Sequence, residues 1–244
     1  MKKLACIMFS LLFFPLWVLA QTPPENTISS YRIWVKDGHD AALDKALAEH
    51  AKMYHMGHWK WRVFQVLSGP DGGSYQITEG PNSWTTLDSR ADISAEHTKH
   101  YDSKLTPHIE KSSPQSYLTY DEKLSTTGLA NFSSKATITH IYLKPGRTKA
   151  YMAALASYKA VWEKQGRNVV VYRSFSSGPP QLVIVGRLKN GFKDFDADNS
   201  VMSDVFDSVN GAGSYDKYLE EVSRDVESMV GEMIEFKPEL SSPK

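Results

Sequence analysis

Cysteine is all but missing from this chain. The 244 residues contain one, Cys6, and it lies in an N-terminal stretch where Lys2 and Lys3 precede an apolar run from Leu4 to Leu19 and a Val18-Leu19-Ala20 ending. These are the three parts of a secretory leader, and cleavage is expected after Ala20. The mature chain then has no disulfide, no thiolate metal ligand and no thiol nucleophile, and must rely on core packing outside the cytoplasm. Charge of one sign is missing as well. The 28 Lys and Arg, two of them in the leader, stand against 28 Asp and Glu, a mature net charge near −2. Such a balance points to no nucleic-acid partner and no anionic membrane surface. No segment after the leader is long and apolar enough to span a bilayer, so a soluble periplasmic or secreted protein is expected. Gly-x-Ser-x-Gly, Gly-x-x-x-x-Gly-Lys-Ser/Thr, His-Glu-x-x-His, Gly-x-Gly-x-x-Gly and Cys-x-x-Cys-His are all absent, which leaves serine hydrolase, nucleotide hydrolase, zincin, dinucleotide-binding and c-type cytochrome readings without support.

What the chain does have is a repeat. Ile33-Trp34-Val35-Lys36-Asp37-Gly38 returns as Ile141-Tyr142-Leu143-Lys144-Pro145-Gly146, Ala46-Leu47-Ala48 as Ala154-Leu155-Ala156, and Trp84 to Asp88 as Phe192 to Asp196. The displacement is 108 positions throughout, and 11 of the 56 positions from Ile33 to Asp88 are identical. The exits match too, Tyr120 to Ser125 resembling Phe236 to Ser241.

In the first copy, alternation over Tyr31–Lys36 predicts a strand. Apolar residues at helical spacing predict a helix from Asp40, a plausible N-cap, to Met56. Strands are expected at Trp59–Leu67 and Ser74–Thr78 around a Gly-rich turn, a helix over about Ser83–Leu105, and a strand at Tyr117–Tyr120. The second copy repeats the order, with strands near Ile138–Leu143, Val169–Phe175, Leu182–Val185 and Met233–Phe236 and helices near Thr148–Lys164 and Ser214–Val230. The division reads as leader 1–20, flexible lead 21–30, first repeat 31–121, linker 122–136, second repeat 137–237 and tail 238–244. Strand, helix, strand, strand, helix, strand is the split βαβ, or ferredoxin-like, arrangement, an α+β unit whose sheet is bare on one face. Two copies can bury those faces together. The element order, the repeat length and the Lys-x-Gly turn make the chain resemble the dimeric α/β-barrel superfamily, with both halves fused in one polypeptide. That resemblance implies a pocket between the sheet and the helices of one half. Its members include haem-degrading and cofactor-free monooxygenases, chlorite dismutase-like haem proteins and small isomerases.

Seven of the eight histidines lie in the first copy. On its first helix Leu43, Leu47, His50 and Tyr54 form one stripe, and the second copy has Tyr151, Leu155, Tyr158 and Trp162 in those places. His50 thus faces a core or a pocket, either as a hydrogen-bonded structural histidine or as a functional one. Ile93, His97, His100, Tyr101 and Lys104 share a face of the later helix, where His97 and His100 could reach one metal, ligate haem iron or act as a general base, against the alternative of a wet polar face. His55-Met56-Gly57-His58-Trp59-Lys60-Trp61-Arg62 forms a third candidate. There His58, Trp59 and Trp61 suit the mouth of an aromatic pocket, Arg62 could meet a carboxylate, and His55-x-x-His58 is a short metal-like spacing; packing of the tryptophans in a core or rim is the alternative.

The first reading of function is therefore an exported protein that binds a small aromatic or planar ligand in the N-terminal repeat, through His50, Tyr54, His58, Trp59, Trp61, Arg62 and Tyr101. The second is a monooxygenase or haem-dependent oxidoreductase with His97 or His100 at the reacting centre. A third is an assembly protein with an aromatic interface and a higher oligomeric state. Haem or a divalent metal is compatible with the sequence and required by none of it.

Overall fold

A computed structural model describes residues 22–243 except 91, 92, 175 and 199. The leader lies outside these residues. In the first half β1 (Thr27–Val35), α1 (Asp40–Tyr54), β2 (Trp61–Ser68), β3 (Tyr75–Asn82), α2 (Trp84–Asp88), α3 (Ala95–His100), β4 (Ile109–Ser112) and β5 (Ser116–Tyr120) follow one another. The second half has β6 (Lys135–Leu143), α4 (Thr148–Lys164), β7 (Asn168–Ser174), β8 (Gln181–Leu188), α5 (Lys193–Ala197), α6 (Met202–Asn210), α7 (Ser214–Asp225) and β9 (Val226–Phe236).

Within the halves the strands pair in the orders β2-β3-β1-β5 and β7-β8-β6-β9, with the short β4 also on β1. Each order ends in two free edges. β2 pairs with β9 and β5 with β7, all antiparallel, so the eight long strands close into a barrel without an edge. The bare faces expected to press together are thus the inside of one closed sheet. Period-two alternation sorts the side chains: Ala136 and Ile138 of β6 join Val66, Leu118, Val170 and Ile234 inside, while Ile141 and Leu143 face the helices outside.

The repeated Lys-x-Gly turn has a structural cause. Gly38 and Gly146 have φ values of 75° and 77°, a region open to glycine at no steric cost. The lysine before each turn ties the first strand to the end of the half's last helical stretch, Lys36 N–H donating to His108 O and Lys144 N–H to Asp225 O, both at 3.0 Å. The matching exits have a reciprocal role. Ser125 Oγ, at the end of the first half, accepts from Val171 N–H of β7, and Ser241 Oγ, at the end of the second, accepts from Val63 N–H of β2, each at 2.9 Å. Leu124 packs in the core of the second half, Leu240 in that of the first.

A buried ion cluster crosses the barrel interior. Arg32 of β1 donates two bonds to Glu232 of β9, the longer 2.7 Å, and also reaches Asp71, while His140 Nε2 lies 3.3 Å from Glu232. Burial alone pushes the Glu232 carboxyl up; the hydrogen bonds and charge of Arg32 and His140 outweigh it and hold the group at about 2.

Several element boundaries differ from expectation. The helix expected over Ser83–Leu105 is two, because Ser83 and Ser94 each cap a new start, accepting from Thr86 N–H at 3.0 Å and His97 N–H at 3.1 Å. Tyr101–Leu105 then widens into a π-helical turn, and β4 follows where no strand was expected. α1 ends at Tyr54, and its first residue is Asp40, with His39 at the cap position. α7 stops at Asp225, since Val226–Val230 pair with β6 and strand pairing overrides their helical spacing. Thr27–Ser30, placed in the flexible lead, belong to β1, and the tail and linker carry the buried Leu240 and Leu124.

Two outcomes follow for stability. Leu240→Ala should cost about 2–5 kcal/mol in denaturant unfolding, because it empties a site that the rest of the first-half core encloses. Glu232 is depressed in the folded state from its usual 4.5 to about 2, so its contribution is full above about pH 5 and is lost as pH falls toward 2. Glu232→Gln should therefore show a stability gap to the wild type of about 3 kcal/mol at neutral pH that closes on acidification in the same window.

Candidate functional site

α1 turns Leu43, Leu47, His50 and Ala51 onto the outer face of the first-half sheet. At 100° per residue, His55 would sit about 140° round the helix from His50. The helix has ended by then. His55 leaves it at φ −104°, ψ 74°, its N–H still donating to Ala51 O at 3.1 Å, and folds its ring back over Trp61 with centroids 3.6 Å apart. α3, started by Ser94, lowers His97 and His100 onto the same spot. His50 and His97 lie ring against ring at 4.8 Å, His50 Nδ1 is 3.1 Å from His100 Nδ1, and His55 Nε2 is 3.3 Å from His97 Nε2. One ring nitrogen of each of His50, His55 and His97 lies within 4.8 Å of those of the other two.

Outer partners orient this cluster. His55 Nδ1 faces two acceptors, Trp59 O at 3.0 Å and the buried Glu79 carboxylate at 3.3 Å, so its proton belongs on Nδ1 and Nε2 presents a lone pair. Glu79 in turn accepts from Arg90 at 3.0 and 3.2 Å, and Arg90 lies 5.3 Å over the Trp59 ring. His50 and His55 are both fully buried. Burial first, then the charges of His55, His97 and His100, lower the His50 imidazole to about 3. For His55 burial also lowers the pKa and outweighs the pull of Glu79 in the other direction. Both rings are neutral, the state in which imidazole is a base or a ligand.

A cavity of about 350 Å³ opens over this floor, lined among others by Tyr31, His55, Trp61, Glu79, Arg90 and His97. Burial, with Tyr101 beside it, raises the Tyr31 phenol well above its ordinary value, so it stays protonated.

The structure brings His50, Tyr54, Trp61, His97, His100 and Tyr101 together. Trp59 contributes its carbonyl and a platform for Arg90. His58 stands apart, exposed and 3.7 Å from Glu25. Arg62 points into the barrel beside Phe132 and a cavity of about 80 Å³, away from the histidines. Glu79 and Arg90 belong to the site without having been expected there, since β3 runs past the anticipated end at Thr78. His55 pairs with His97 rather than with His58.

The second half holds a larger cavity of about 760 Å³ in the matching place, lined by Tyr151, Tyr158, Trp162, Arg167, Tyr215 and Tyr218 among others and by no histidine. On Nε2 of His97 a haem iron would need its macrocycle where His55 stands 3.3 Å away, and the large cavity offers phenols but no imidazole as an iron ligand.

No family model matches this sequence, and no curated protein does. Solved structures are similar to it in fold. An anthrone oxidase-like protein aligns at a TM-score of 0.56 and 10% identity over 88% of this chain and 92% of its own. A provisionally assigned monooxygenase from Lactobacillus acidophilus NCFM aligns at 0.53 and 10% over 89% and 96%. A chlorite dismutase variant from Candidatus Nitrospira defluvii aligns at 0.52 and 8% over 88% and 92%. These likenesses show the fold alone, a mixed α+β closed antiparallel barrel.

Proposed function

We propose that the protein is a small-molecule oxidoreductase of the monooxygenase kind, acting on an aromatic or planar substrate in the N-terminal pocket. In this reading it is a soluble periplasmic or secreted protein once the leader is cleaved, built from two tandem ferredoxin-like copies of which the first carries the chemistry. One observation carries the reading: a pocket of small-molecule size has the buried, neutral His55 imidazole and that of His97 in its floor and Tyr31 and Trp61 as its walls. Aromatic walls favour a flat ligand, and the imidazoles are the groups able to take its proton. The names borne by the structural neighbours, a monooxygenase and an anthrone oxidase-like protein, point the same way.

A ligand-binding role without turnover is the second reading, favoured by the 760 Å³ aromatic cavity of the other half.

Oxygen uptake by the purified protein with anthrone or a substituted hydroquinone separates the two. Uptake above the buffer rate is expected, falling about a hundredfold or more in His97→Ala and unchanged in His58→Ala. Absence of uptake across such a series, with an aromatic dye still bound and released by Tyr158→Ala, would leave the binding role instead.

A further inference from the structure

We propose that His50, His55 and His97 hold one divalent transition-metal ion at the floor of the N-terminal pocket, with Glu79 as the outer carboxylate that orients His55. The inference deepens the oxidoreductase reading and rests on its choice of pocket. Nitrogens on the ion would no longer take a proton, and the imidazoles would then act on the substrate through the ion. The geometry that supports the site is independent of any turnover.

Spacing is the first support. Two ligands on a tetrahedral ion with metal–nitrogen distances of about 2.0–2.1 Å stand about 3.3–3.4 Å apart. His55 Nε2 and His97 Nε2 are 3.3 Å apart. The third ligand nitrogen, on His50, is within 4.8 Å of both and completes the set by a small closing movement of one ring. Chemistry of the donors is the second. The acceptors at His55 Nδ1 leave its Nε2 lone pair facing inward, and His100 engages Nδ1 of His50. That leaves His50 Nε2, fully buried, without a hydrogen-bond partner among the described residues. A buried polar atom in that state is costly, and an ion would satisfy it. The carboxylate behind a ligating histidine is the usual outer arrangement of such centres.

Three imidazoles without a fourth protein ligand form an open site, and His55 and His97 both border the cavity. The vacant position of the ion would therefore face a small molecule in the pocket. Imidazole donors suit zinc, copper, iron and nickel rather than magnesium or calcium. The half-buried His39 and His108, with Nδ1 atoms 2.9 Å apart, lack a third nitrogen or carboxylate among the described residues and serve as the internal comparison.

The test uses the full mature chain, stripped with chelator and titrated with Co²⁺ and Zn²⁺ by calorimetry and absorption. One ion per chain is expected, with the visible bands of tetrahedral cobalt. Binding should be lost in His55→Ala and His97→Ala, weakened about 10–100-fold in Glu79→Gln, and unchanged in His58→Ala and His39→Ala. Circular dichroism establishes that each variant is folded. His97 is the least buried of the three, so His97→Gln supplies a ligand-deficient variant if His55→Ala fails to fold. No stoichiometric ion in the wild type, full affinity in a folded His97 variant, or loss of the ion in His39→Ala would overturn the assignment. An ion bound with no oxygen uptake removes the oxidoreductase reading and keeps the centre; uptake with no ion bound by the wild type does the reverse.

Discussion

Each half of this protein makes a four-stranded sheet with two open edges, and an open edge is a row of unpaired amides and carbonyls. Everything else depends on how those edges are met. Pairing β2 with β9 and β5 with β7 uses each half to close the other, and the exit segments reinforce the closure in both directions. Lys237 N–H donates to Val63 O and Asp121 N–H to Val171 O, so each half's last strand is stitched to the other's second strand at the same position. Neither half has a complete core alone, since Leu240 and Leu124 sit in the core of the opposite half. The Arg32–Glu232 pair adds a charge contact that only the closed barrel can provide. Removing either partner would leave the other charge buried and uncompensated, so the pair holds the two halves in the closed arrangement.

Closure also fixes where small molecules can go. With the barrel interior filled by Val66, Leu118, Ile138, Val170 and Ile234 except for a space of about 80 Å³ beside Arg62, the larger cavities lie outside the sheet, beneath the helices. Both halves have a cavity there, and the repeat makes them comparable. At the position where the first half has His50 against Tyr54, the second has Tyr158 against Trp162. One layout thus yields a small cavity floored by imidazoles and a larger one walled by phenols and an indole. The helices differ accordingly: α2 and α3 are short, and α3 carries His97 and His100 against α1 before running into the π turn, whereas α6 and α7 are longer and lie over a roomier space.

Much of this was legible in the sequence because it depends on periodicity. The 108-residue displacement, the Lys-x-Gly turn and the alternation in the strands report local backbone geometry, and they led to an α+β barrel. The stripe Leu43, Leu47, His50, Tyr54 was legible for the same reason. His55 was not, because its place in the cluster depends on the helix stopping two residues earlier, at Tyr54, and a helical wheel drawn to Met56 turns it away. Glu79 and Arg90 depend on the length of β3 and on a loop, neither of which has a period. Arg62 and His58 show the opposite failure, since closeness in sequence to Trp61 did not place them on its side of the strand.

The four clustered imidazoles impose a cost that the fold has to meet. Burying one neutral histidine is tolerable when both ring nitrogens are paired; burying His50 and His55 side by side, with His97 and His100 against them, leaves more lone pairs than protons to share. The second half shows that the architecture does not need them, because tyrosines and a tryptophan fill the same layer through apolar contact and one Tyr151–Tyr218 hydroxyl contact of 3.4 Å. A cheaper core was therefore open to the first half. The metal ion proposed above would give the His50 and His55 lone pairs a partner that packing alone does not supply.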